Sequence, residues 1–287
     1  MRSGQILFTY LHLAPDPAQT RDLLASGATC VAYETVTDSH GGLPLLAPMS
    51  QVAGRMSIQA GAFALEAPQG GAGLLLGGVP GVPSGRVVVI GGGVVGENAI
   101  EMAIGLGAQV NVLDRDLDVL GRLDRRFGAE LETVYSTTAA LEHLVANADL
   151  VIGAVLIRGA RAPKLVTAEM VTGMRPGAVL VDVAIDQGGC FETSRPTTHS
   201  EPTFVVDDVV HYCVANMPGA VPKTSTYALN NATLPFILDI ADKGMNQALH
   251  DDPHLRDGLN IHRGLLTERQ VAEAQSLDYT DPLDALG

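Results

Sequence analysis

The sequence predicts an α/β protein organised around a doubly wound parallel sheet. From residue 86 onwards, short apolar segments alternate with helical segments, which is the pattern of parallel strands covered by helices on both faces. The first strand of that series runs directly into three consecutive glycines and a helix rich in small residues. We therefore expect a ligand-binding sheet, with shorter α/β segments before and after it in the chain.

Composition limits the kinds of partner that the protein binds. The chain has 287 residues, enough for two domains, and a net charge of -14 that disfavours nucleic acid as a partner. Its first ten residues lack the apolar segment of a signal peptide, and no run is long enough to span a membrane. Cys30, Cys190 and Cys213 are odd in number and lack metal-ligand spacing. We expect a cytoplasmic protein with buried reduced thiols, no bound metal, and no nucleic-acid or membrane partner.

The first segment predicts a strand, a helix and a second strand. The strand covers Gln5–Leu13, and the helix covers Asp16–Ser26 with its first residue as N-cap, Pro17 at the first helical position and Gly27 after its end. The second strand covers Thr29–Tyr33. Because two strands do not close a core, either further strands come from the far end of the chain or this domain is incomplete.

A long helix and a glycine-rich connection precede the main sheet. The helix is predicted over Pro48–Glu66, after a glycine- and proline-containing boundary at 40–46. The segment 67–85 is too irregular for a helix. It is interpreted as an ordered connection, with a binding loop as the alternative.

The stretch Arg86–Asp114 carries the strongest motif. Gly91, Gly93 and Gly96 follow a strand and open a helix. In such a turn the first glycine allows the tight bend, the second lets the backbone approach a pyrophosphate, and the third lets helix and strand pack closely. The unpaired N–H groups at the helix start then face the phosphates. The pattern predicts a dinucleotide site.

Asp114 ends the second strand of this unit, where an acid is expected to bind the ribose hydroxyls. Its charge should repel a 2′-phosphate, which favours NAD over NADP. Arg115 follows directly. The alternative is therefore NADP, with this arginine accommodating the 2′-phosphate.

The alternation continues to residue 214, and the chain then ends in helices. Helices are predicted at 116–127, 137–148 and 167–174, and strands at 132–135, 149–155, 178–183, 203–206 and 211–214. Lys223–Asp242 predicts a long helix kinked at Pro235. The tail 244–287 contains an apolar turn at 259–266, well placed to return to the amino-terminal strands.

Four further residues are candidates for chemistry, each with an ordinary structural alternative. Asp182 and Asp186 flank the carboxyl end of a predicted strand, where ligands of such sheets bind, although an acid there is also a common N-cap or loop residue. His12 ends the first strand as a possible general acid or a structural histidine. Asn216 follows a strand and is placed to reach a nicotinamide or ribose, or belongs to a proline-punctuated crossover.

Longer motifs show a resemblance over nearly the whole chain. They read YLHLA, AYETV, LPLLAPMS, VVVIGGGVVGENA, DLVIGAVL, APKLV, PGAVLVDVAIDQGGCFE, SRPTTH and YCVANMPGAVPKTSTYAL. These segments resemble the bacterial L-alanine dehydrogenase family and, more distantly, the NAD-binding subunit of proton-translocating transhydrogenase. The resemblance implies a Rossmann domain at 46–222, inserted into a truncated α/β substrate domain made from 1–45 and 223–287. It also implies a homo-oligomer, a hexamer or a dimer.

The resemblance assigns roles residue by residue. NAD would accept the Cα hydride of L-alanine, or of a related small amino acid or imine. His12 matches the family's general acid/base, and Asp186 matches the aspartate that orients the hydrolytic water. The positions that match cofactor contacts, in addition to the three glycines, are Ser50, Val94, Val95, Asp114, Ser136, Val155, Leu156, Val183, Arg195, Val214, Ala215, Asn216 and Met217.

In the family, a segment before the YLHLA motif supplies an arginine and a lysine that hold the substrate carboxylate and carbonyl. In this sequence, Arg2 is the only basic residue before that motif. We expect weaker substrate orientation and an altered substrate choice. The alternatives are a non-catalytic NAD-binding or oligomer-forming homologue, and a natural protein that is longer than this sequence.

Overall fold

A computed structural model describes residues 1–155 and 162–287. The strands are β1 Ile6–Thr9, β2 Thr29–Ala32, β3 Arg86–Ile90, β4 Gln109–Asp114, β5 Leu131–Tyr135, β6 Leu150–Gly153, β7 Val179–Asp182, β8 Thr203–Val206, β9 Val209–Tyr212, β10 Leu259–His262 and β11 Leu265–Leu266. The α-helices are α1 Pro17–Ser26, α2 Ala47–Ala64, α3 Val94–Gly105, α4 Leu117–Phe127, α5 Thr138–Asn147, α6 Ala168–Thr172, α7 Pro222–Lys243, α8 Met245–Asp251, α9 Pro253–Arg256, α10 Arg269–Gln275 and α11 Pro282–Leu286.

The chain divides into two compact units, each with its own sheet. The larger unit is residues 50–225, and the smaller combines residues 1–49 with 226–287. The boundaries between the units fall inside α2 and α7.

The sheet of the larger unit has seven strands in the order β5-β4-β3-β6-β7-β9-β8. The first six strands in that order are parallel, which confirms the predicted α/β class. The chain leaves β3 towards β4 on one side and later returns to β6 on the other. The carboxyl ends of β3 and β6 therefore flank the switch point, where open parallel sheets bind ligands.

One strand departs from the expected parallel arrangement. β8 pairs antiparallel with β9 through a two-residue turn, Asp207-Asp208, in which both residues have positive φ (49° and 60°). Such turns match the twist of a hairpin, and aspartate tolerates the left-handed region better than most residues. The predicted strand 211–214 accordingly begins earlier, at Val209, and ends at Tyr212.

Helices cover both faces of this sheet, as the near-continuous apolar strands predicted. Along β3, Val87 and Val89 belong to one buried cluster, whereas Val88 and Ile90 belong to another. Because side chains alternate across a strand, these clusters are the two faces of a single sheet. Aliphatic side chains supply most of both clusters.

The smaller unit has a four-stranded sheet in the order β1-β2-β10-β11. β1 and β2 are parallel, and β10 joins β2 in the antiparallel direction. The strands needed to complete this core thus come from the far end of the chain. Asp16 caps α1 by accepting a hydrogen bond from the Gln19 amide (2.9 Å), and Gly27 ends it with a φ of 67°, both as predicted.

The predicted long helix before the tail is present as α7, which continues through Pro235. Proline has no N–H, so Pro235 cannot donate the usual helical hydrogen bond to the carbonyl four residues earlier, at Asn231. Among the described residues, no helix is both long and apolar enough to cross a membrane.

Candidate active site

The glycine turn after β3 has a geometry that requires glycine at two positions. Gly91 has a φ of 99° and donates its N–H to the Leu113 carbonyl at 2.8 Å. A Cβ on Gly91 would lie 2.8 Å from the Ala154 carbonyl oxygen, and a Cβ on Gly96 would overlap the Gly91 carbonyl oxygen. These two glycines bend the chain and let α3 pack against β3.

Gly93 differs from its neighbours because it has space around it. It caps α3 with an ordinary φ of −69°, and nothing lies within 4 Å of the position that a Cβ would take. Neither backbone strain nor packing explains glycine here. An open position beside the N-terminus of a helix fits the approach of an anionic phosphate.

Asp114 ties the end of β4 to the same turn. Its Oδ2 accepts a hydrogen bond from the Gly92 amide at 2.7 Å, and its Oδ1 accepts one from the Asp116 amide at 2.9 Å. Arg122 donates to the Gly92 carbonyl at 3.0 Å and also pairs with Glu97 in the first turn of α3. The acid that was predicted to bind ribose is therefore held beside the glycine turn. Arg115 is exposed.

The structure gathers several predicted cofactor contacts along one edge of the larger sheet. Ser136 follows β5, with its amide bonded to the Asp114 carbonyl at 2.9 Å. Val155, Val183 and Val214 follow the carboxyl ends of β6, β7 and β9. Leu156 lies outside the described residues. Ser50 is half-buried in α2, and Val94 and Val95 lie at the start of α3.

Arg195 is held at this unit by a stack of planar groups. Its guanidinium lies 4.1 Å from the centre of the Phe204 ring. Phe204 stacks in turn on the buried His211 at 4.9 Å, and His211 shares a 2.7 Å hydrogen bond with Thr193. Burial lowers the pKa of His211. Phe204 lies in β8, which was predicted as a strand but expected to be parallel, so its stacking on His211 was not predicted.

The segment after β9 makes a tight bend. Asn216 has a left-handed conformation (φ 57°, ψ 55°), and its carbonyl accepts hydrogen bonds from the Gly219 amide (2.9 Å) and the His199 ring (3.2 Å). Ala215 is exposed, whereas Met217 is buried. The bend leaves the Asn216 side chain at the surface of the larger unit.

The two predicted catalytic residues lie in different units. Asp186 is exposed in a turn of 3-10 helix, Val183–Gln187, that directly follows β7 in the larger unit. His12 lies after β1 in the smaller unit, with a φ of 48° and a side chain that is 63% exposed.

His12 is held by its neighbours in the smaller unit. Its backbone N–H donates to Glu34 Oε1 at 2.6 Å, and its Nδ1 lies 3.9 Å from the same oxygen. The imidazole stacks on the Tyr10 ring at 5.8 Å, and the Tyr10 hydroxyl donates to the Leu45 carbonyl at 2.6 Å. Burial raises the pKa of Tyr10. This environment leaves the imidazole accessible while its backbone is fixed.

Comparison with known proteins identifies the family. The model of the alanine dehydrogenase/PNT C-terminal domain matches residues 57–269, and that of the N-terminal domain matches residues 1–53. The chain belongs to the alanine dehydrogenase/PNT family. The predicted resemblance is confirmed.

Relatives in this family are similar along nearly the whole chain. The alanine dehydrogenase of Halomonas elongata is 64% identical over 287 residues, which are 100% of this chain and 77% of the relative. That of Bacillus subtilis is 54% identical over 286 residues, covering 99% of this chain and 75% of the relative.

Two solved structures have a similar fold. One L-alanine dehydrogenase structure is 53% identical with a TM-score of 0.91, covering 96% of this chain and 76% of that one. A transhydrogenase from Sinorhizobium meliloti shares the fold, at 22% identity and a TM-score of 0.79, covering 93% of this chain and 76% of that one.

In this alanine dehydrogenase/PNT family member, two contacts with candidate site residues were not predicted from the sequence: that of Glu34 with His12 and that of Phe204 with Arg195. Glu34 was quoted only within the AYETV motif, and Phe204 only as part of a strand. Glu34 is 22 positions from His12, and no periodic pattern connects them. The available signal was an acid directly after an apolar strand, similar to the position at a strand's carboxyl end that singled out Asp182 and Asp186.

Proposed function

We propose that this chain catalyses the NAD-dependent oxidative deamination of L-alanine to pyruvate and ammonia, together with the reverse reductive amination. A closely related small amino acid or imine is the alternative substrate. The observation that carries the proposal is the glycine turn, with its open position at Gly93, in a chain 64% identical to an alanine dehydrogenase. That identity favours an active enzyme over a non-catalytic homologue.

The larger unit is proposed as the cofactor domain, corresponding to the predicted 46–222. The turn Gly91–Gly96 and the N-terminus of α3 would hold the pyrophosphate, and Asp114 the adenosine ribose. Arg195 and the bend at Asn216 would contact the remainder of the cofactor. The carboxylate of Asp114 favours NAD over NADP, because a 2′-phosphate would bring a second negative charge beside it. When bound, the nicotinamide ring accepts a hydride from the substrate.

The smaller unit is proposed as the substrate domain, corresponding to 1–45 with 223–287. Its contribution to the chemistry is His12, which exchanges a proton with the substrate's carbonyl or imine group. Glu34 and Tyr10 restrict the position of that imidazole. His12 is thereby fixed through its backbone while its ring is free to transfer protons.

Asp186 is proposed to act on water. Loss of a hydride from Cα and of a proton from the amino nitrogen leaves an imine of pyruvate, which reacts with water to give pyruvate and ammonia. A carboxylate accepts a hydrogen bond from that water and directs its lone pair at the imine carbon. In the reductive direction the same carboxylate receives the water that is expelled.

Family resemblance also supports a homo-oligomer, a hexamer or a dimer, working in the cytoplasm. Light scattering of the purified protein would measure the oligomer.

The experiment that tests the function measures NADH formed from NAD with L-alanine, and NADH consumed with pyruvate and ammonia. We expect turnover in both directions and large losses in His12→Ala and Asp186→Asn. A panel of other small oxo acids identifies an altered substrate. NAD binding in calorimetry, with no turnover on any substrate, would instead establish the non-catalytic alternative.

A further inference from the structure

Asp182 is a buried carboxylate that the proposed reaction does not use. It is the last residue of β7 and has no exposed surface. Its Oδ2 accepts hydrogen bonds from the Ser194 hydroxyl (2.5 Å) and from the amides of Cys190 (3.0 Å) and Phe191 (3.3 Å). The Cys190 thiol donates to its Oδ1 at 3.6 Å. These donors are all neutral groups.

All of these donors lie at the far end of one loop, 183–194. That loop leaves β7 immediately after Asp182, carries Asp186 in its helical turn, and returns at residues 190–194. The carboxylate therefore joins the start of the loop to its end. Asp186 comes four positions after Asp182 and lies within the loop whose two ends the Asp182 side chain joins.

Further contacts connect the end of the helical turn that carries Asp186 to the turn itself and to Asp182. The Gly188 amide donates to the Ile185 carbonyl (2.9 Å), and the Gly189 amide donates to the Ala184 carbonyl (3.0 Å). Gly189 has a φ of 76°, and a Cβ there would lie 2.6 Å from Asp182 Oδ2. The helical turn thus ends in a glycine pressed against the buried carboxylate.

Burying a carboxylate at this position has a cost in free energy, because the charged form loses its hydration. Burial raises the pKa of Asp182, against the hydrogen bonds from Ser194, Phe191 and Cys190 that lower it. A buried ionisable group is weak support for stability, since apolar side chains of similar volume often serve as well. What a carboxylate adds is a fixed set of acceptors for several loop donors at once.

We propose that Asp182 is the positioning residue for Asp186, acting through the hydrogen-bonded loop 183–194. The proposal rests on the proposed function for the role of Asp186. It predicts two separable effects of Asp182→Asn. The loop 183–194 becomes less ordered. The value of kcat falls when Asp186 is present and changes little when Asp186 has already been replaced.

The first test measures loop order without any assay of activity. Hydrogen exchange of the native protein, read by mass spectrometry, should speed up across 183–189 in Asp182→Asn and, to a smaller extent, in Ser194→Ala. The matched control is Asp149→Asn. Asp149 is also a buried acid of this sheet, but it precedes β6 and accepts from the Arg86 amide (2.8 Å) at the opposite end of the strands. Unchanged exchange across 183–189 in both test variants would overturn the proposal.

The second test is a double-mutant cycle on kcat. Asp182→Asn should lower kcat by about 10- to 100-fold, because small displacements of a reacting group have effects of that size. In the Asp186→Asn background its further effect should stay within about twofold. Asp149→Asn should leave kcat within about twofold in either background. Equal losses from Asp182→Asn in both backgrounds would show a general structural role and overturn the proposal.

The two proposals fail in different ways. Absence of turnover in the wild type contradicts the proposed function, while the exchange experiment still decides whether Asp182 orders the loop. If Asp182→Asn does not fold, Ser194→Ala keeps both tests in force. It removes only the hydroxyl donor, and its loss of kcat should likewise vanish in the Asp186→Asn background.

Discussion

The Glu34 carboxylate holds His12 from two sides, accepting the His12 backbone N–H at 2.6 Å while lying 3.9 Å from Nδ1 of its ring. It also accepts the Leu11 amide at 3.0 Å. His12 has a φ of 48°, a conformation in which a side chain is normally strained. Such a conformation persists where the surroundings hold it, and here the Glu34 carboxylate accepts the two consecutive amides of Leu11 and His12. The geometry makes Glu34 a support for the proposed acid/base.

Two substitutions of Glu34 should therefore separate the effect of its acceptor oxygens from the effect of its negative charge. Glu34→Ala leaves the partly buried Leu11 amide without its acceptor, at about 1–3 kcal/mol, and releases the exposed His12 amide to water. It should lower kcat for L-alanine by about tenfold or more. Glu34→Gln keeps an acceptor oxygen and should lose less. Asp16→Ala, which removes the cap of α1 in the same unit, is the control and should cost only about 1 kcal/mol of stability. Equal kcat in Glu34→Ala and the wild type would contradict this role.

Gly93 and Gly96 should respond differently to the same added methyl group. Gly96→Ala forces a Cβ into the Gly91 carbonyl and should lower the free energy of unfolding by about 1–3 kcal/mol or more. Gly93→Ala meets no neighbour and should leave the melting temperature nearly unchanged. It should still raise the Kd of NAD, by about 5- to 150-fold if the methyl costs about 1–3 kcal/mol against a phosphate. Unaltered NAD binding in calorimetry would place the pyrophosphate elsewhere.

Asp114 should set the choice between NAD and NADP. Its carboxylate is fixed by the amides of Gly92 and Asp116, so it has little freedom to turn away from a 2′-phosphate. Asp114→Ser should lower the ratio of kcat/KM for NAD over NADP by at least about tenfold, since a like-charge contact costs several kcal/mol. Arg115→Ala is the neighbouring control and should raise that ratio or leave it unchanged. A wild type that prefers NADP would contradict the assignment.

The three cysteines should be unreactive in the native protein and should make it less stable in alkali. All are unpaired and buried, as their spacing predicted. Burial raises the pKa of Cys30 to about 11 and that of Cys213 to about 12, and it raises the pKa of Cys190 as well. Iodoacetamide at about pH 8 should label none of them until the protein is unfolded, as mass spectrometry would show.

The sign of the pH effect follows from the same shifts. Above about pH 9 the unfolded thiols lose protons that the folded ones retain, so the unfolded state binds fewer protons. The free energy of unfolding should then fall as the pH rises from about 9 towards the folded pKa values of about 11 and about 12. Cys213→Ala should reduce that slope. A stability that is flat or rising in this range would contradict the burial of these thiols.

Features set by neighbouring residues were predictable from the sequence. The cap at Asp16 and the end of α1 at Gly27 each depend on contacts a few residues away, and each has a characteristic residue type. The turn at Gly91 was predictable from the spacing of its glycines after an apolar strand. Return of the tail to β2 was predictable because two strands could not form a core by themselves.

Features set by distant contacts were not predictable. The antiparallel direction of β8 depends on positive φ at two aspartates, a conformation that most aspartates do not adopt. Glu34 reaches His12 across 22 positions, and Asp182 collects donors from residues 190–194 by the path of one loop. A single sequence shows the polar residues but not which of them meet.

Transfer of the Cα hydride from the substrate to NAD is tested most directly with L-alanine deuterated at Cα. The protein should convert it with NAD to pyruvate, ammonia and reduced cofactor that carries the deuterium, as read by mass spectrometry, and His12→Ala should slow this transfer strongly. Binding of NAD with no deuterium in the cofactor, or reduced cofactor that forms without the label, would contradict the claim.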